Sequence, residues 1–108
     1  MNINRLESLQ KFLKENPEDS FTRYAIAMEH VSMKNIPQAI TFLQDLIKHD
    51  SAYIPAYHQL GNLLHLSKNN IDAVKILEKG ISLAQHIGDS HGQSEMQELL
   101  DEITDSNL

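Results

Sequence analysis

The chain has 108 residues, no cysteine and a formal net charge of −6, with 41% hydrophobic and 22% charged residues. That length fits one compact domain or a short repeat array, and the composition is that of a folded chain. The missing cysteines exclude a disulfide scaffold, a thiolate metal site and a cysteine nucleophile, and the acidic balance argues against nucleic acid, whose binders carry a basic patch.

No such patch occurs. Lys11 and Lys14 are interleaved with Glu7 and Glu15, and Lys75 and Lys79 flank Glu78, as on solvated helix faces with local ion pairing. No apolar run is long enough to cross a membrane. The N-terminal stretch lacks the basic-then-apolar layout of a signal peptide, so a cytoplasmic location is the expectation.

Leu6, Leu9 and Leu13 fall on one face of a first helix. "NPED" then supplies a stop and a restart. Asn16 suits an N-cap and Pro17 the first helical position, which predicts a second helix over 17–32. "KNIP" marks the next break, before a third helix over 37–48. "HDSAYIP" leads into a fourth over 54–67. "KNN" ends that one, and a fifth follows over 71–84. "IGDSHG" reads as the last loop. The sixth helix, over 93–103, carries Met96, Leu99, Leu100 and Ile103 at i, i+3, i+4 and i+7. No segment shows the sustained alternation of a strand. The chain is therefore all-α, with about six helices and loops of the length found between antiparallel neighbours.

A repeat runs through these elements. Ala39 and Ala73 each follow a KN turn, as "KNIPQAI" and "KNNIDAV", and stand 34 residues apart. Ile26 with Leu60, Ala27 with Gly61, Ile40 with Val74, Leu43 with Leu77 and Ile47 with Ile81 keep the same offset and similar chemistry. Two helices per unit of this length, with Tyr57-x2-Leu60-Gly61-x2-Leu64 followed by Ala73-x3-Leu77, resembles the tetratricopeptide repeat family. Its pattern reads W-x2-L-G-x2-Y followed by A-x3-F. The earlier copy, Arg23-x2-Ile26-Ala27-x2-His30, departs from it at the opening position.

The resemblance implies a right-handed α-solenoid of antiparallel helix hairpins. Residues 1–16 would form a half-repeat helix, 17–50 the first repeat, 51–84 the second, and 85–108 a capping helix and tail. It also explains Gly61, which costs about 1 kcal/mol relative to alanine inside a helix. Gly61 and Ala27 would sit where the two helices of a hairpin approach most closely, with Ala39 and Ala73 as matching small residues. One period further on, Ser94, Glu95 and Glu98 replace the apolar face. A C-terminal cap needs that change, and the stripe from Met96 to Ile103 would pack back onto the preceding hairpin.

Function follows as an expectation from the same resemblance: a non-catalytic protein–protein interaction module whose first helices line a concave groove. The stripe Phe21, Tyr24, Met28 and Val31 becomes Pro55, His58, Asn62 and His65 one period later. Core pairs keep their character between copies, and these do not. Phe21, Tyr24, Met28, His58, Asn62 and His65 are the predicted contacts for a peptide or helix. Phe21 and Val31 equally suit packing between helices. Some family members hold the carboxylate of a chaperone tail with a lysine, asparagine and arginine clamp. Here Tyr24, Met28, Gln59, Asp89 and Gln93 stand at or near those positions, so an acidic tail is not expected.

Six histidines raise the question of a metal. His58 and His65 lie two turns apart, roughly 10 Å, too far to share one zinc without further ligands. His30 occupies a core-facing position suited to a buried, hydrogen-bonded histidine, while His49, His86 and His91 lie near helix ends or loops. No nucleophile elbow, phosphate loop or paired-carboxylate pocket is present, and Glu98, Asp101 and Glu102 read as a solvent face. No enzyme activity, cofactor or metal is expected. The partner would be a protein or peptide, with no nucleic acid and no membrane. A second hypothesis is self-association: Ile3, Leu6 and Phe12 would expose an apolar strip that a homodimer or a stacked copy could cover.

Overall fold

The computed structural model describes residues 3–105. Among them the regular elements are six α-helices: α1 (Ile3–Glu15), α2 (Ser20–Ser32), α3 (Ile36–His49), α4 (Ile54–Leu66), α5 (Asn70–Ile87) and α6 (Ser90–Asp105). They fall into two compact units, residues 1–51 and 52–108.

In the first unit α1 packs on α2 and α2 on α3. Ala25, Ile26, Ala27, Ala39, Leu43 and Leu46 are buried. Arg5 ties α1 to α2 through an ion pair with Glu29 at 2.6 Å. The start of α2 differs from the sequence expectation. Pro17 and Glu18 form a turn, and the N-cap is Asp19, whose carboxylate accepts the Thr22 N–H at 3.0 Å. Asn16 instead closes α1: its backbone and side-chain N–H groups donate to the Phe12 carbonyl. An aspartate placed three residues before a free N–H outcompetes an asparagine already committed to the preceding helix. The Ser20 hydroxyl donates to Asp50 at 2.6 Å, which links the first turn of α2 to the end of α3.

The turns after α2 and α4 share one geometry. Lys34 and Lys68 adopt left-handed backbone angles, φ 62° and 64°. The next N–H reaches back to close the helix, Asn35 to the His30 carbonyl and Asn69 to the Leu64 carbonyl, both at 2.8 Å. This is the Schellman closure, with lysine where glycine is usual.

In the second unit α4 packs on α5, and α6 packs on both. Gly61 is buried at the α4–α5 contact, where an added Cβ would lie 2.5 Å from Leu77 Cδ2. The sequence expectation of close approach holds, but the side chain that uses the space is Leu77, with Ala73 buried beside it. Full burial of a leucine is worth about 1.5–3 kcal/mol, more than the propensity cost of the glycine. Gly80 makes a second notch, bounded by Tyr57 Cβ and Met96 Sδ.

The last elements also depart from expectation. Helix α5 does not stop at Ala84 but runs to Ile87 and closes on Gly88 at φ 81°. The loop shrinks to Gly88 and Asp89, and Asp89 accepts the Gly92 N–H at 2.9 Å, so α6 starts at Ser90. The residues preceding α2 and α4, Asp19 and Tyr53, are 34 apart, whereas Asp89 follows Tyr53 by 36. The extra length of α5 therefore moves α6 out of the repeat register by two residues. Met96 and Leu99 stand at the registers of Leu60 and Leu63, and all four are buried. Ser94, Glu95 and Glu98 are exposed, in keeping with a cap, and the buried face of α6 is displaced along the helix by the same two residues. Its stripe does pack back on the preceding hairpin, with Met96, Leu99 and Ile103 buried.

Candidate functional site

On α2, residues Phe21, Tyr24 and Met28 lie at i, i+3 and i+7 and share a face, with Val31 one turn on. Phe21 is 67% exposed, and the other three are half-buried. Their neighbours Ala25, Ile26 and Ala27 point inward and are buried. His30 is not the buried, hydrogen-bonded histidine of the sequence expectation. It is half-buried, and its ring stacks on Phe42 at 5.0 Å between centroids. Its Nδ1 takes no hydrogen bond among the described residues. A flat aromatic neighbour on α3 satisfies the ring face instead of its edge.

On α4, His58, Asn62 and His65 are half-buried on one face, with Pro55 exposed at its start. His65 is anchored, because its Nδ1 lies 2.8 Å from Asn70 Oδ1. His58 lines a cleft of about 240 Å³ between α4 and α6, with Glu95, Glu98, Leu99 and Glu102. Leu99 is buried, and the three glutamates are exposed.

The sequence reading missed the glutamates as neighbours of His58. It read Glu95 and Glu98 as the open face of a cap and Glu102 as solvent face, in the unshifted register, and so did not set them beside His58. The signal that could have found them was Gly88 followed by Asp89, a helix stop and a helix start two residues later than one period allows. Among the described residues no group of three or more histidine, aspartate or glutamate side chains is placed to hold a metal ion, and no helix is long and apolar enough to cross a membrane.

No family model and no curated protein matches the sequence. Solved structures do. A tetratricopeptide repeat domain protein from Salinibacter ruber is 31% identical in its crystal structure, covering 80% of this chain and 96% of its own, with a TM-score of 0.76. Its solution NMR structure gives 33% identity, coverage of 81% and 88%, and a TM-score of 0.77. The TPR2B domain of yeast Sti1, solved as a pHsp70 complex, is 17% identical over 95% of this chain and 82% of its own, with a TM-score of 0.87. The yeast likeness is one of fold.

Proposed function

The chain belongs to the tetratricopeptide repeat family, and on that premise we propose that it is a non-catalytic protein–protein interaction module. Its ligand is a peptide or helix, and the candidate contacts are Phe21, Tyr24 and Met28 on α2 in the first unit and His58, Asn62 and His65 on α4 in the second. The carrying observation is a contrast within the repeat. Ile26, Ala27, Leu60 and Gly61 keep their chemistry between copies and are buried. The six proposed contacts change chemistry between copies, and all keep surface open to solvent. A position that accepts both methionine and asparagine is not a closed core site, since an unpaired buried amide costs about 1–3 kcal/mol. Glu95, Glu98 and Glu102 beside His58 favour a cationic group on a ligand reaching that cleft over an acidic tail.

Capture of whatever co-purifies with the intact protein, followed by titration against alanine variants, tests the reading. Tyr24→Ala or His58→Ala should weaken binding about tenfold, the scale of a central interface side chain, with helicity unchanged. Equal affinity in both variants places the site elsewhere.

A further inference from the structure

Register comparison exposes an unpartnered face on α1. Arg5, Leu9 and Phe12 stand one period before Ala39, Leu43 and Leu46, and two periods before Ala73, Leu77 and Gly80. All six later residues are buried. In the second unit this face receives α4: Leu77 fills the notch at Gly61, and Gly80 lies against Tyr57. Helix α1 has no preceding helix among the described residues. Leu9 is only half-buried, Arg5 is exposed, and Phe12 is 49% exposed.

What the face displays is its own complement. Arg5, Ser8, Phe12 and Glu15 recur at i, i+3, i+7 and i+10, so they form one stripe, and all four are exposed. Turning the stripe end for end about Gln10 exchanges Arg5 with Glu15 and Ser8 with Phe12. Plus meets minus, and large meets small. We propose that α1 pairs antiparallel with α1 of a second copy about a twofold axis, seating each Phe12 ring over the partner copy's Ser8 and flanking the rings with two Arg5–Glu15 ion pairs. An antiparallel neighbour is what this face receives in the hairpins, and a twofold axis across the helix supplies one by symmetry. The Arg5–Glu29 pair does not prevent this, since 59% of the Arg5 side chain stays exposed. Leu6 flanks the stripe half-buried, and the Ile3 side chain lies outside the described residues. A helix of 13 residues is about 20 Å long, so the interface is small and the dimer concentration-dependent.

Sedimentation equilibrium from about 1 μM to about 1 mM tests this. The mass should rise from 12.3 kDa toward twice that value. Phe12→Glu should hold it at the monomer. Arg5→Glu and Glu15→Arg, each alone, set like charges opposite one another and should weaken the dimer at least tenfold. An equimolar mixture of the two restores both ion pairs in the heterodimer and should dimerise as the parent does. Glu15→Arg leaves the Arg5–Glu29 pair intact, so it carries the test if Arg5→Glu loosens α1. A parent that stays monomeric at every concentration overturns the proposal. So does a Glu15→Arg variant that dimerises like the parent, or a folded mixture that does not.

Discussion

Gly80→Ala adds one methyl group where α5 meets α4 and α6. Helix propensity alone predicts that alanine stabilises α5 by about 1 kcal/mol. The packing predicts the opposite. The new carbon would fall 2.7 Å from Tyr57 Cβ and 2.6 Å from Met96 Sδ, where carbon atoms in contact sit roughly 3.5–4.0 Å apart. Both neighbours are almost wholly buried. Met96 is a flexible thioether and can swing aside. Tyr57 Cβ is one bond from the backbone and moves only with α4. Relief therefore requires α4 and α5 to separate, which also loosens Leu77 in the notch at Gly61. Overpacking of this kind costs about 1–3 kcal/mol, and a rigid neighbour places the cost in the upper half. Net of propensity, the variant should lose about 1–2 kcal/mol. Thermal melts followed by far-ultraviolet circular dichroism should show a Tm lower by about 4–8 °C. An unchanged or raised Tm would refute the reasoning, because it would mean that the two helices have slack at this point.

Two further substitutions address the turns and the caps. Lys34→Gly and Lys68→Gly relieve left-handed lysines, whose strain is roughly 1–2 kcal/mol, against a glycine entropy cost of about 0.5–1 kcal/mol. Each should raise stability by about 0.5–1 kcal/mol in urea unfolding, and the gains should add; destabilisation by both would contradict the shared closure. Asp19→Ala removes the acceptor for the Thr22 N–H and should cost about 1 kcal/mol, with Asp19→Asn recovering most of it. An alanine variant as stable as the parent would return the cap to Asn16.

Legibility in the sequence followed the source of each signal. Helices and the paired alanine registers were readable because periodicity and a fixed offset repeat the same information many times. The notch at Gly61 was readable because Ala27 repeats its smallness. Gly80 was not: its counterpart is Leu46, and its size is set by Tyr57 and Met96, neither of which the offset links to it. The cap at Asp19 was misplaced because "NPED" holds two competent cap residues, and only the fold decides which is free. The shift of α6 escaped because one period was extended past the point where α5 lengthens. As to the candidate site, the sequence identifies which positions vary. It does not contain the adjacency of His58 to the α6 glutamates, which depends on that shift.

The Tyr57–Gly80 pairing has a consequence for how such chains diversify. Bulk sits on α4 and the hollow on α5, whereas the corresponding positions of the first hairpin hold Arg23 and Leu46. A recombinant that joined α4 to α3 would press Tyr57 upon Leu46. The reciprocal one would leave Arg23 facing a vacancy that it cannot fill without stranding its charge. Single helices are therefore poor currency for shuffling, and the smallest heritable module here is a whole hairpin carrying both halves of its own mould.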